Sequence, residues 1–333
     1  MPAGDTVFVD YAAAPGVASM RVCGMTVAER VLRHAAQAGA SSAIIRADAL
    51  PALPELPMSV ERIANTAPTP AAREIPGTVI AGVTITDEGS RRRATRALLQ
   101  TCRRSYDGLG DRYVIRALSL RLSSVFCRLP ITPNQITWVN IVVGLVACAF
   151  AAHGGRAALV VAGGLMFVQV VLDSCDGEVA RLRHKSSTFG MWLDNASDDL
   201  IDNLFIAMLG VGQGGIWLPI GVGAAIAKSL TALMIHLDVA RQGKAGDIMA
   251  FKWFFDKAGE DLADRFEART SITGLGRAFG RRDVYILVWM VTCVLGVPVV
   301  GLLLGVVVAL AYFGLAIAHV IVTRRSRASA GRA

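Results

Sequence analysis

Charge is scarce in this chain. Of its 333 residues only 18% are Asp, Glu, Lys or Arg, while 53% are hydrophobic and the mean hydropathy is +0.49. An ordinary soluble domain carries about 25% charged residues, so the composition excludes a disordered chain and argues against a wholly soluble protein. Lysine is scarcer still: 29 of the 34 basic residues are Arg, and no Lys precedes Lys185. Glycine is plentiful, at 33, but has no three-residue period, which excludes a collagen-like chain. The six cysteines (Cys23, Cys102, Cys127, Cys148, Cys175 and Cys293) lie far apart, with no C-x-x-C or Cys/His cluster. That spacing excludes a zinc site and a disulfide framework, and the thiols are expected to be free. A secretory leader is not expected either, since Asp5 and Asp10 precede any basic residue and no long apolar run follows.

What is present is patterned. The formal charge is +8, and the basic residues flank apolar runs. This placement suits anionic headgroups or phosphate-bearing substrates, and nucleic acid is not an expected partner. Residues 1–100 read as a small soluble α/β domain, with an apolar stretch at Val7–Val9 and a helix over Thr26–Ala38 on which Val27, Val31 and Ala35 recur every four residues. A strand is expected at Ser42–Arg46, then a proline-rich break (Pro51, Pro54, Pro57), then strand-like Gly77–Ile85. Residues 101–130 form a basic connector. Within it Val114, Ile115, Leu118, Leu122, Val125, Phe126 and Leu129 make one apolar helical face, with Arg112, Arg116, Arg121 and Arg128 mostly elsewhere. An interfacial amphipathic helix is the expectation, against the alternative of a surface helix packed on a soluble domain.

Residues 131–325 are expected to form six transmembrane helices, followed by a basic tail at 326–333. Ile136–Ala152 and Ala157–Leu172 carry no charge, Leu204–Val211 and Ile216–Leu237 follow, and Val284–Thr323 is 40 residues without Asp, Glu, Lys or Arg. At 1.5 Å per residue the last run would reach roughly 60 Å, twice a bilayer core, so it must be two passes with a turn at Gly296, Val297 and Pro298. With the N-terminus inside, the outer loops carry Arg156 and almost nothing else. The inner segments then carry Arg181, Arg183 and Lys185, nine Arg/Lys from Arg241 to Arg282, and Arg324, Arg325 and Arg327. The positive-inside rule therefore places both termini in the cytoplasm, in an inner-membrane protein. The fold class expected is membrane all-α, a six-helix bundle with an interfacial helix and a small α/β N-terminal domain.

The chemistry lies in Val171–Asn203. Asp173 and Asp176 are three apart at the end of the second span, and Asp194 and Asp198 four apart at the start of the third. Such spacings put each pair on one helical face. Converging carboxylates repel unless cations sit between them, and hard oxygen ligands suit Mg2+ or Mn2+. Gly177 leaves the backbone open to close approach, Ala180 keeps the same face open, Arg181 offers a fork for phosphate, and Gly190 clears space ahead of Asp194. Asp199 and Asp202 are read as supporting or solvent-facing. Lys228 is either a partner of the carboxylates or a snorkelling residue. His236 and His319 are read as satisfied bundle histidines, His184 and Lys185 as a solvated turn, and Met191 and Trp192 as interfacial packing.

The series Asp173-x2-Asp176-Gly177-x2-Ala180-Arg181-x8-Gly190-x3-Asp194-x3-Asp198 resembles the CDP-alcohol phosphatidyltransferase signature, with every fixed position filled. Pro133-Asn134-Gln135-Ile136-Thr137 and Arg282-Asp283 resemble further family segments. The resemblance implies a metal-dependent displacement in which an acceptor hydroxyl attacks the β-phosphorus of a CDP-alcohol and CMP leaves. It assigns Asp173, Asp176, Asp194 and Asp198 to two Mg2+ or Mn2+ ions and Asp198 also to the catalytic base. It assigns Gly177, Ala180, Arg181, Asp173, Gly190, Asn134 and Thr137 to the CDP moiety. A membrane lipid is expected on one substrate or beside it, and a homodimer is expected by resemblance alone. Gly24–Arg33 with Ala38-Gly39-Ala40 is similar to the helix after the nucleotide loop of sugar-phosphate nucleotidyltransferases. Asp87–Asp107 resembles the junction of fused enzymes that make CDP-inositol and then di-myo-inositol phosphate phosphate. No glycine-rich phosphate loop precedes Gly24, so this domain is read as degenerate. A cation transporter using the same carboxylates and a non-catalytic membrane scaffold are the rival readings.

Overall fold

A computed structural model describes residues 5–14, 16–47, 49–104, 107, 108, 110–256 and 281–330, with 326–330 as backbone alone. Tyr106 of the junction, Lys257, Arg265, Arg269 and Arg277 of the basic inner segment, and Arg332 of the tail lie outside the described residues. The chain divides into two compact units. One joins Met1–Arg103, Leu122–Ile131 and Glu178–Lys185; the other joins Arg104–Arg121, Thr132–Gly177 and Ser186–Ala333.

The first unit is built on a parallel sheet. Its strands β1 (Asp5–Asp10), β4 (Ala40–Arg46), β5 (Ser59–Ile63) and β6 (Arg73–Glu74) lie in the order β5-β4-β1-β6. Parallel neighbours need a crossover, and helix α1 (Val27–Gln37) supplies one between β1 and β4. Thr26 starts α1 by accepting a hydrogen bond from Glu29 N at 3.2 Å, and the expected stripe of Val27, Val31 and Ala35 is buried. Residues Val7, Phe8 and Val9 are buried throughout, as a strand covered on both faces requires. The edge strand β5 escapes sequence reading because Glu61 and Arg62 break its apolar alternation, as charges on an edge do.

Two short hairpins complete the sheet structure: β2 (Arg21–Val22) with β3 (Met25–Thr26), and β7 (Val79–Ile80) with β8 (Val83–Thr84). The first turns through Cys23 and Gly24, at φ 48° and 80°, the two left-handed residues of a tight hairpin turn. Gly24 is obligatory for a second reason: a Cβ there would lie 1.9 Å from the Cys127 carbonyl oxygen. Helix α2 (Glu88–Gln100) opens on a capping box between Asp87 and Ser90. Arg183 then ties down the chain after helix α3 (Arg116–Phe126), donating to the carbonyls of Cys127 at 2.7 Å and Ile131 at 2.6 Å.

Helix α3 follows a wide helical turn at Asp111–Ile115. Five of the seven residues expected on its apolar face, Val114, Leu118, Leu122, Val125 and Leu129, are exposed. One placement needs correction. Arg116, expected on a cationic face, is buried against Asp107 with Nε 3.1 Å from Oδ2, while Ile115 of the apolar face is fully buried. An ion-paired arginine can turn inward where a lone one cannot.

The second unit is a helical bundle: α4 (Pro133–His153), α5 (Arg156–Leu182), α6 (Thr188–Gln213), α7 (Trp217–Arg241), α8 (Arg282–Leu295) and α9 (Pro298–Ala330). Four of these, α4, α5, α7 and α9 as far as Arg325, are long and apolar enough to cross a membrane. Helix α6 carries Asp194, Asp198, Asp199 and Asp202, and α8 is described over 14 residues, about 21 Å. The turn between α8 and α9 falls where the sequence placed it, with Gly296 at φ 75°.

Close backbone packing seats α6. A Cβ on Gly212 would lie 2.1 Å from the Ala151 carbonyl oxygen, and one on Gly210 would lie 2.5 Å from that of Trp217. Gly212→Ala is therefore expected to cost about 1–3 kcal/mol, read as a lower unfolding temperature in detergent. Gly223→Ala, which meets open space, is expected to leave stability equal or raise it by about 1 kcal/mol.

Candidate active site

Helices α5 and α6 bring the acidic residues together. Ser187 caps α6 by accepting from Gly190 N at 3.0 Å, so Asp194 and Asp198 fall in its second and third turns. One carboxylate oxygen from each of Asp173, Asp194 and Asp198 lies within 4.8 Å of the other two. Asp176, one turn on from Asp173, is buried and accepts a 2.6 Å hydrogen bond from the Thr137 hydroxyl. Asn140 Nδ2 stands 3.5 Å from Asp173 Oδ1.

A guanidinium sits at the centre of this cluster. Arg282 Nη1 lies 2.7 Å from both Asp173 Oδ2 and Asp198 Oδ2, its Nε lies 3.1 Å from Asp202 Oδ2, and Nη2 donates to Gln169 Oε1 at 3.1 Å. One planar fork thus serves three carboxylates. Asp202 also accepts a hydrogen bond from the Tyr285 hydroxyl, which in turn accepts one from Lys228 Nζ at 3.2 Å. Lys228 Nζ is 3.7 Å from Asp202 itself, so of its two sequence readings the structure selects the ion pair.

The donor set fits a divalent cation. Its ligand atoms are hard carboxylate oxygens on two rigid helices. Asp194 Oδ1 and Asp198 Oδ1 are buried without a hydrogen-bond partner, a costly arrangement for a carboxylate unless a cation completes it.

The other expected site residues lie close by in sequence or in space. Gly177 follows Asp176 on α5, and Ala180 and Arg181 extend that helix by a further turn. Gly190 and Asn134 are neighbours: a Cβ on Gly190 would sit 3.4 Å from Asn134 Oδ1. His236 bonds Asp199 at 2.9 Å, as a satisfied histidine should. His319 packs against Phe251, Trp253 and Phe254 but leaves Nδ1 buried and unpartnered. Met191 and Trp192 are exposed, and His184 occupies a turn at φ 49°. Asp202, which the sequence left between support and solvent, is buried and supports Arg282.

Sequence reading marked Arg282-Asp283 as a family-like segment but gave Arg282 no place among the carboxylates, and it passed over Tyr285 and Gln169. The available signal was Arg282-Asp283 at the threshold of 40 uncharged residues, where a charge entering an apolar environment must find a partner. Asp283 finds one as well, accepting from Gly110 N at 3.0 Å and from Arg281 Nε at 3.1 Å.

Residues 130–259 match the family model described as CDP-alcohol phosphatidyltransferase. Over 119 residues the chain is 36% identical to a protein of Archaeoglobus fulgidus named bifunctional IPC transferase and DIPP synthase, covering 35% of this chain and 23% of that one. A protein of the same name from Thermococcus kodakarensis is 30% identical over 167 residues, 49% of this chain and 37% of its own length. An archaetidylinositol phosphate synthase of Pyrococcus horikoshii is 32% identical over 96 residues, 29% of this chain and 48% of its own. The chain therefore spans less than half the length of each of these relatives. Arg282 and Tyr285 lie beyond the matched segment, but Asp173, Asp176, Asp194 and Asp198 all lie inside it. The part of this chain that gathers the carboxylates, residues 130–259, is thus the part that is similar to the CDP-alcohol phosphatidyltransferase family.

Proposed function

We propose that this protein is an integral membrane CDP-alcohol phosphotransferase that requires Mg2+ or Mn2+ and releases CMP. The observation that carries the reading is the meeting of Asp173, Asp194 and Asp198 within 4.8 Å, two of them with an open buried oxygen. In the proposed arrangement Asp173, Asp176, Asp194 and Asp198 hold two divalent ions, which supply positive charge to the phosphates and to the departing CMP. Gly177, Ala180, Arg181, Gly190, Asn134 and Thr137 receive the CDP moiety. The acceptor hydroxyl forms a bond to the β-phosphorus, the bond from that phosphorus to the CMP oxygen breaks, and the hydroxyl proton passes to a carboxylate. Asp198 is suited to take it: Oδ2 is anchored by Arg282, and Oδ1 is free to accept.

The same reading extends to the substrates. The acceptor is proposed to bear phosphate itself, held by the positive charge that the divalent ions would supply. Inositol phosphate is such an acceptor, in keeping with the names of the relatives, and CDP-diacylglycerol or CDP-inositol is the type of donor. Helices α4–α9 make six passes, with both termini and the carboxylates at the cytoplasmic face, α3 lies at the interface, and two chains pair as a homodimer. Residues 1–100 form a nucleotidyltransferase-like domain without cytidylyltransferase activity, 101–130 the connector, 131–325 the catalytic domain and 326–333 a basic tail.

The test is a CMP-release screen of the purified protein. CDP-diacylglycerol and CDP-inositol are offered with inositol phosphate, inositol, serine and glycerol 3-phosphate. One pair is expected to release CMP, to lose all release in EDTA and to regain it with Mg2+ or Mn2+. No CMP from any pair with the divalent ion present refutes the proposal.

A further inference from the structure

The first unit contains a cleft of about 560 Å3 that the chemistry above does not use. It is lined by five arginines: Arg21 of β2, Arg91, Arg92 and Arg96 of α2, and Arg128 just after α3. The buried Leu99 lies in its wall. Ligands of α/β sheets usually bind beyond the carboxyl ends of the strands. Arg21, Cys23 and Gly24 of this cleft belong to the connection that leads from β1 to α1, while its other lining residues come from α2 and the end of α3.

The charge there is poorly explained by folding. Arg91, Arg92 and Arg93 fall in the first two turns of α2, where the helix dipole disfavours cations. No acidic residue occurs from Arg91 to Gln100. One carboxylate, Glu88, serves Arg91 and Arg92, lying 3.2 Å from the latter, and Arg91 foremost holds it down at about 2. Arg91 also donates to the Arg21 carbonyl at 2.9 Å, which fixes β2 against α2. Among the described residues, the guanidinium groups of Arg21, Arg96 and Arg128 have no hydrogen-bonded or ion-paired partner. Converging guanidinium groups repel one another, and planar forks are well matched to phosphate oxygens.

We propose that this cleft binds a phosphorylated group carrying at least two negative charges. The group is presented either by a soluble diphosphate or by the headgroup of an anionic lipid. The lipid source has a structural basis in Val125 and Leu129, exposed apolar residues next to Arg128 in the same unit. The soluble source is supported by the size of the cleft, which has room for a small phosphorylated molecule.

The experiment uses the full chain in phosphatidylcholine nanodiscs with EDTA, so that divalent ions contribute nothing. Inorganic pyrophosphate is titrated calorimetrically. In a second arm, unfolding temperature is compared between phosphatidylcholine and phosphatidylglycerol nanodiscs. The variants are Arg21→Gln with Arg96→Gln and Arg128→Gln, and the same three positions changed to Lys. The Gln variant is expected to bind pyrophosphate at least about ten-fold more weakly, or to lose the stabilisation by phosphatidylglycerol, with Lys restoring part. Arginine-dependent pyrophosphate binding identifies a soluble ligand; an arginine-dependent lipid effect alone identifies a headgroup. Absence of both in the native chain, or responses equal in native and Gln chains, overturns the proposal. If the triple Gln variant unfolds, the single Arg96→Gln change, on an exposed side chain, carries the same comparison.

Discussion

Asp198→Asn is expected to lower CMP release by about 1,000-fold or more while leaving the bundle folded. The amide keeps the size and position of the carboxylate on α6 and loses both its charge and its ability to take a proton. Asp173→Asn and Asp194→Asn are expected to act as strongly, since each removes an oxygen ligand of the same cluster. Asp199→Asn is the comparison: its partner is His236, outside the three-carboxylate set, so its effect should stay within a few-fold. The measurement is CMP release at saturating divalent ion, with thermal unfolding of each variant as the control. Activity retained in Asp198→Asn would remove that residue from catalysis.

Arg282→Gln is expected to produce a stability loss that a divalent ion repairs. Without metal, the Arg282 guanidinium is the main counter-charge for Asp173, Asp198 and Asp202. Removing one partner of a largely buried charge network costs up to about 3 kcal/mol, because the remaining charges are left uncompensated. In EDTA the variant should therefore unfold well below the native protein, and Mg2+ should close most of that gap. Arg156→Gln gives the contrast. Arg156 donates to the carbonyls of Leu295 and Val294 at 2.7 and 3.1 Å, so its loss should be insensitive to metal. A deficit in Arg282→Gln that Mg2+ leaves untouched would argue against metal at the three carboxylates.

Much of this was legible in residue order because it is carried by helical period. Asp173 and Asp176, or Asp194 and Asp198, share a face as soon as the chain is helical, and the loop between them is too short to separate the two helices. Val27, Val31 and Ala35 are legible in the same way. Arg282 was not, since it lies 84 residues beyond Asp198 and reaches the cluster by tertiary packing. The edge strand β5 was hidden by its own charges. Arg116 was misread because its partner Asp107 belongs to a loop, where no periodicity announces a neighbour.

Helix α6 bears Asp194, Asp198, Asp199 and Asp202 and is gripped at Gly212 and Gly210 by the backbones of its neighbours. The placement of the proposed metal ligands is thus stored in hydrogen atoms, at positions packed against neighbouring backbone rather than against the carboxylates. A saturation mutagenesis map scored for turnover should show these two glycines as intolerant as the aspartates, so such a map would overstate the extent of the reaction centre.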